Sequence, residues 1–426
     1  MKAKGRRRSG TGRFQGAAEP PVSAVVEIVD MGLQGDGITP EGVFVPYALP
    51  GEIIEADMAD GRGRITTVLQ AARDRVEPAC GHFTECGGCA LQHWRTDAYR
   101  AWKREAVRTA LKRAGVAVPV KPLVNAHGAG RRRVGLQAVR SKATGFVFGF
   151  SKAESRHVVD ITACPIVCPP IAQAWDGLRA LAEAALPRAG RLGLHVTASD
   201  AGLDVRLDGA GAPDLSLRQT LAEHAEALDL ARLSVGDEPV WSARAPRIAM
   251  GRAQVEPPPG GFLQPTEAGE AELWALVEAG LADAQKPVDL YCGVGTFALR
   301  LAERVAVRAI EGDPQAVAAL KAAAKADGLK PIYAERRDLA RMPLSPKELD
   351  HYDAVVLDPP RAGAAAQVQA LAKSRIGRVV MVSCNPATFA RDAAHLINAG
   401  FALGEVTPVD QFLYSNHVEL AGVFTR

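Results

Sequence analysis

The 426-residue chain has no apolar run long enough to span a bilayer. Its first residues are basic and polar, without the apolar stretch of an export signal. A cytoplasmic protein with no membrane partner is expected. A disulfide framework is missing too, because the seven cysteines are odd in number and scattered. In a reducing compartment such cysteines serve as ligands or catalytic groups. Charge imbalance is small, at +3, and no repeat of solenoid period occurs. What is present is the composition of a soluble globular protein, 47% hydrophobic and 23% charged. The length calls for two or three domains. Nothing in it demands an oligomer, so a monomer is expected.

The charge is unevenly spread. Lys2, Lys4, Arg6, Arg7, Arg8 and Arg13 all precede the first acid, Glu19. Residues 1–20 are expected to lack fixed structure and to suit a polyanion, although a solubilising tail would read the same way. Residues 21–77 alternate short strands (24–29, 42–47, 53–57, 63–70) with turns at Pro50-Gly51 and Gly61-Arg62-Gly63. This predicts a five-stranded barrel of the oligonucleotide-binding type. Residues 78–260 open on a cysteine-rich loop and a helix at about 97–114. Arg-rich strands and Ala/Leu-rich helices follow, as in an α+β domain.

From residue 261 a third domain is expected. Beyond Pro287 strands and helices alternate: strands at 288–291, 307–310, 352–357 and 378–383, helices at 296–303, 314–326 and 388–398. Such units form a parallel sheet covered on both faces. Two strands near 404–408 and 418–424 close the chain without a helix between them. The fold class is therefore multidomain α/β, and the C-terminal doubly wound sheet ending in a hairpin resembles the architecture of a Rossmann-like methyltransferase domain.

The turn after the first of these strands reads Asp289-Leu290-Tyr291-Cys292-Gly293-Val294-Gly295-Thr296. Gly293 and Gly295 let a ligand approach the backbone. The third glycine of the dinucleotide fingerprint is missing, which argues against NAD. Glu311 ends the second strand, where an acid can bind ribose hydroxyls. Asp338 follows the third, at the adenine edge, and Asp358-Pro359-Pro360 ends the fourth. Together these point to S-adenosylmethionine, although Glu311 read alone could be a surface acid.

Cys384, in Ser383-Cys384-Asn385-Pro386, and Glu419, in His417-Val418-Glu419, sit at the ends of later strands. A thiol beside a methyl donor suggests covalent activation of a pyrimidine. Carbon 5 of uracil is a weak nucleophile until a thiolate adds to carbon 6. A base must then remove the carbon 5 proton so that the thiol can leave. Cys384 is the candidate nucleophile and Glu419 the candidate base. Asp358 can bond the polar edge of the ring, on a loop stiffened by its two prolines.

Cys80, Cys86 and Cys89 form a compact C-x5-C-x2-C group, and Cys164 and Cys168 are both available as a fourth ligand. Four thiolates hold zinc or an iron–sulfur cluster, and three close ligands plus a distant one favour iron–sulfur. Arg131, Arg132 and Arg133 are candidates for RNA phosphates, with Arg132 able to face inward.

The segments DLYCGVGTF, LDPPRAG, VSCNPATFARD and HVEL resemble the motifs of the RNA uridine-5-methyltransferase family. The likeness runs from the barrel to the last hairpin. It implies that Cys384 is the nucleophile, Glu419 the base and Asp358 a uracil contact. It also implies that Tyr291, Gly293, Glu311, Asp338 and Asp358 line the cofactor site. The family's Phe-x-Gln-x-Asn stretch reads Phe262-Leu263-Gln264-Pro265-Thr266 here, which assigns Gln264 to cofactor or target contact and leaves Thr266 as a departure. In the ribosomal-RNA branch the cysteine arrangement binds a [4Fe-4S] cluster, its last ligand in a Cys-Pro context matched by Cys164-Pro165. The resemblance thus implies methylation of uridine in RNA, with 23S ribosomal RNA as the expected substrate. A transfer-RNA enzyme and a non-catalytic RNA-binding factor are the alternatives. Exocyclic-amine methylation needs no thiol, and cytosine-5 enzymes place a cysteine after the fourth-strand proline, where this chain has Arg361.

Overall fold

The computed structural model describes residues 21–143, 145–186 and 190–426; the basic segment 1–20 lies outside them. The chain divides into two compact units that meet at Arg75/Val76.

The first unit is a six-stranded sheet. Its spatial order is Val22–Glu27, Ile53–Ala59, Arg62–Gln70, Phe44–Pro46, Asp36–Ile38 and Asp30–Met31. The first and last members are consecutive in sequence, separated only by Ile28 and Val29. One bent stretch of chain therefore joins both ends of the sheet and closes it. Six strands replace the expected five, because the two- and three-residue strands around Gly32 and Gly35 are too short to leave a sequence pattern. At the closure Gly37 is packed so tightly that a Cβ would lie 2.8 Å from Ile28 and 2.9 Å from the Ala48 carbonyl. Ile28, Val45, Ala48, Ile54 and Ala56 fill the interior. Beside them burial pushes the Glu52 carboxyl up, but bonds from Arg75, Leu49 and Ala72 outweigh it and hold it below the usual range.

The second unit contains two large sheets. One has seven strands in the order Val158–Asp160, Gly145–Ser151, Arg133–Ser141, Gly190–Ser199, Gly202–Asp208, Arg232–Val235 and Glu238–Ser242. The helices Trp175–Ala185 and Leu215–Ala227 share its core, which includes Leu136, Phe148, Leu178, Leu194 and Leu221.

The other sheet runs Ile332–Arg336, Val307–Glu311, Pro287–Leu290, Ala354–Leu357, Arg378–Ser383, Glu419–Thr425, Thr407–Asp410 and Val124–Asn125. The first five are parallel, and Glu419–Thr425 is antiparallel to both of its long neighbours. The chain order reverses at Pro287–Leu290 and Ala354–Leu357, and ligands of open α/β sheets bind at such a switch point. Val288, Val355, Val356 and Val379 to Val382 are buried, as strands covered on both faces must be. Two pieces of the segment before residue 261 belong to this layer. Val124–Asn125 pairs with Thr407–Asp410, and the helix Thr96–Arg113 packs Val107, Ala110 and Leu111 into the core with Phe389 and Leu396. No helix among the described residues is long and apolar enough to cross a membrane.

Candidate active site

Beyond Leu290 the chain turns through three positive φ angles, 63° at Tyr291, 56° at Gly293 and 102° at Gly295. A Cβ on Gly295 would lie 2.5 Å from Leu320 Cδ1, whereas one on Gly293 would meet nothing within 4 Å. The backbone at Gly293 therefore faces open space. Glu311 braces this turn: its Oε2 accepts the Gly293 N–H at 3.0 Å, and its Oε1 accepts those of Gly312 and Asp313 at 2.6 and 2.9 Å. Asp338, more exposed, accepts the Ala340 N–H at 3.0 Å. Asp289, unassigned from sequence, is fully buried beneath the turn. Burial first, then the charges of Asp358 and Glu311, push its carboxyl well above the usual range. An acid inside an apolar strand was the available signal.

The three candidate residues, Asp358, Cys384 and Glu419, come from three adjacent strand ends. Ser383 pairs with Leu420 across the antiparallel ladder, so the next pair outward is Cys384 and Glu419. Directly opposed residues hold their Cβ atoms about 5 Å apart. Asp358 follows Leu357 on the neighbouring strand, and its N–H reaches the Leu290 carbonyl at 3.4 Å. The two loops are tied together, because Asn385 Nδ2 and Thr388 Oγ1 both donate to the Arg361 carbonyl, at 3.2 and 3.3 Å. Gln264 Nε2 reaches Asp358 Oδ2 at 3.4 Å, and Gln264 Oε1 accepts from Gln411 Nε2 at 2.8 Å.

Burial dominates the electrostatics. It lifts the Asp358 carboxyl to about 7. It lifts Glu419 to about 8, helped by the Asp358 charge and opposed by a hydrogen bond from Gln411. The Cys384 thiol is pushed up to about 11 by burial, then by Glu419 and Asp358, with Arg361 pulling the other way. Acids this close cannot all be charged together.

Cys384 and Glu419 line a cavity of about 530 Å³ that also takes in Cys80, Cys86, Cys89 and Cys164. Cys168 is buried in the core under the seven-stranded sheet and does not line this cavity, whereas Cys164 does. Among the described residues no three His, Cys, Asp or Glu side chains converge closely enough to hold a metal ion. The cysteine loop is fixed at both ends: Gly87 N–H donates to the Ser151 carbonyl at 3.0 Å, and those of Ala90 and Leu91 donate to the Tyr414 carbonyl at 2.8 and 3.0 Å.

The three arginines separate in role. Arg132, only 4% exposed, pairs with Glu270 at 2.5 Å and donates to the Gln264 carbonyl at 3.0 Å. It is a buried brace, which removes it from the expected phosphate contacts. Arg131 and Arg133 line the cavity, over the rings of Phe412 and Phe262. Thr266, the departure from the family stretch, caps the helix Glu267–Gly280 by accepting the Gly269 N–H at 2.9 Å.

A family profile described as tRNA (uracil-5-)-methyltransferase matches residues 253–426. A Brucella suis protein described as an uncharacterized RNA methyltransferase is 44% identical over 405 residues, covering 94% of this chain and 97% of its own. The 23S rRNA (uracil(1939)-C(5))-methyltransferase RlmD of Chromohalobacter salexigens is 33% identical, covering 90% of this chain and 84% of its own. Among solved structures, the Pyrococcus abyssi tRNA (uracil-54, C5)-methyltransferase with S-adenosyl-L-homocysteine superposes with a TM-score of 0.76 at 22% identity. That match covers 94% of this chain and 99% of the other, and establishes a shared fold. With the relatives spanning nearly its full length, the chain belongs to the RNA (uracil-5-)-methyltransferase family.

Proposed function

We propose that this RNA uracil-C5 methyltransferase acts on ribosomal RNA, with S-adenosylmethionine as methyl donor and Cys384 as covalent nucleophile. The observation that carries the reading is that Cys384 and Glu419 each stand one residue beyond the last ladder pair, Ser383 with Leu420, on the lining of one cavity and one strand away from Asp358. A flat ring between them meets a thiol on one side and a carboxylate on the other. The residues at the switch point fit the donor: open backbone at Gly293, Glu311 fixed beside it, and Asp338 beyond. When bound, the donor supplies an electrophilic methyl group.

The chain's own groups do the rest. The target uridine must leave any stack to enter the cavity. Asp358, held near neutral, donates to the ring's polar edge. The Cys384 thiolate adds to carbon 6 and makes carbon 5 nucleophilic. Once carbon 5 carries the methyl group, the Glu419 carboxylate takes its proton, the ring double bond re-forms, and the thiolate departs.

Cys80, Cys86, Cys89 and Cys164 are proposed to hold a [4Fe-4S] cluster. Four sulfurs on the lining of one largely apolar cavity, with Arg131 among them, suit such a group. The role is structural, since methyl transfer moves no electron.

The similarity to RlmD supports ribosomal RNA, and the description of the matching profile favours transfer RNA as the second reading. Labelled methyl donor and equal amounts of unmodified 23S rRNA and tRNA decide between them. Label on 23S rRNA alone is expected. Label on tRNA alone overturns the ribosomal assignment.

A further inference from the structure

The segment joining Thr407–Asp410 to Glu419–Thr425 carries the proposed base at its far end, and its near end is clamped. Lys103, on the helix Thr96–Arg113, donates from Nζ to Asp410 Oδ1 at 2.6 Å and to the Phe412 carbonyl at 3.0 Å. Tyr99 donates its hydroxyl to Asp410 Oδ2 at 2.5 Å. The ion pair is fully buried on both sides. These ties bracket Gln411, which lies between the two anchored residues and is 1% exposed.

Gln411 spends its amide hydrogens inside the site. Nε2 donates to Gln264 Oε1 at 2.8 Å. Glu419 stands opposite Val409, so Gln411, two residues further on, is its diagonal neighbour on the same face, and the amide holds the Glu419 carboxyl down against burial. Gln264 in turn reaches Asp358. Hydrogen bonds thus run from Asp358 through Gln264 to Gln411, whose amide stands beside Glu419. Space is tight around the Gln411 amide, since a Cβ on Gly269 would lie 2.2 Å from Gln411 Oε1. The amide has one seat.

A buried carboxylate has two oxygens and a free torsion, so it meets a proton in line only if something fixes it. We propose that Gln411 is a positioning residue for proton abstraction, its amide fixing the Glu419 carboxylate towards the ring while holding Gln264 against Asp358, on a mount formed by Lys103 and Asp410. The inference rests on Glu419 being the general base. In the step concerned the carboxylate takes the carbon 5 proton. The C–H electrons form the C5–C6 double bond, and the C6–S bond breaks to return the thiolate of Cys384. The other charged or titratable groups around Glu419 are Asp358 and Cys384 on the neighbouring strand ends, with Arg131 and the four cysteines lining the same cavity. Removal of the amide donor leaves Asp358 and burial unopposed at Glu419, which displaces its titration to higher pH.

The test uses the full-length enzyme and two variants, Gln411→Met, similar in length without the amide, and Gln411→Asn, an amide one methylene short. Single-turnover release of free methylated RNA is followed on RNA carrying uridine or 5-deuterouridine at the target, across pH. Adduct formation with 5-fluorouridine RNA, which needs no proton abstraction, is measured alongside. Both variants should form the adduct within about twofold of the wild-type rate, yet release methylated RNA roughly tenfold more slowly. Deuterium should slow them more than wild type, and the acid limb of their rate profile should move to higher pH. Wild-type turnover, isotope effect and pH limb in a folded variant overturn the inference, as does equal loss of adduct and turnover. Should Gln411→Met fail to fold, Gln411→Asn carries the same outcomes. A wild-type enzyme that forms no adduct instead sinks the covalent reading and this inference with it, which separates the two failures.

Discussion

Cys384 and Glu419 share one cavity wall with Asp358 on the next strand end, and each negative charge among them makes the next harder to form. The Glu419 charge is the largest neighbouring contribution holding the thiol up. Glu419→Gln should therefore free thiolate at Cys384 while abolishing turnover. Alkylation by iodoacetamide at pH 8.5 reads this directly, since the thiolate is the reacting form. Each unit by which the thiol falls means about tenfold more thiolate. A slower reaction in the variant would show that Glu419 does not load Cys384. Stability should follow the opposite acid-base logic to an ordinary salt bridge. Glu419 ionises near 4.5 in the unfolded chain but near 8 when folded, so burial is fully tolerated below 4.5. That stability is lost as pH rises through about 8. The Glu419→Gln variant, neutral at every pH, escapes this loss. Its melting temperature should exceed that of wild type by several degrees at pH 9 and match it near pH 4.5.

The elements that carry the site store local strain. At Gly295, φ is 102° and a Cβ would strike Leu320, so Gly295→Ala should cost about 1–3 kcal/mol and weaken binding of the methyl donor. Calorimetry and donor titration check the two effects separately. Lys103→Met should cost more, about 3–5 kcal/mol, because it strands a buried Asp410; a melting shift below two degrees would contradict that. These elements were unequally legible. Strands such as Val379 to Val382 read clearly because burial on both faces demands an unbroken apolar run. The helix expected at 296–303 shrinks to Ala298–Leu301, since the cofactor turn consumes its first residues. The helix Glu267–Gly280 was missed because its cap, Thr266, looked only like a lapse in a motif. Short motifs nominate Cys384 and Glu419 by their chemistry, and the fold brings the two to one cavity. Lys103 and Asp410 were not legible, being 307 residues apart in sequence and joined only by folding. Gln411, beside Asp410, gave no sign until its amide partners were in place.

On the scale of the whole molecule, the two compact units make a division of labour testable. A fragment of residues 76–426 keeps both large sheets and every residue of the trio. It should melt cooperatively and bind the methyl donor, while holding RNA more weakly and with a shallower dependence on salt, since it loses the basic residues of 1–75. Filter binding from low to moderate salt gives that slope, and an unchanged slope would remove the N-terminal unit from the RNA contact. The central claim is that Cys384 attacks the ring and Glu419 completes the reaction. Its most direct test is RNA substituted with 5-fluorouridine, incubated with the methyl donor and either wild-type enzyme or Cys384→Ala. Fluorine blocks the last proton abstraction, so wild type should form an enzyme–RNA adduct that survives denaturation, and the variant should form none. An adduct that persists without Cys384, or wild-type methylation of uridine with no adduct on the fluorinated RNA, would contradict the account.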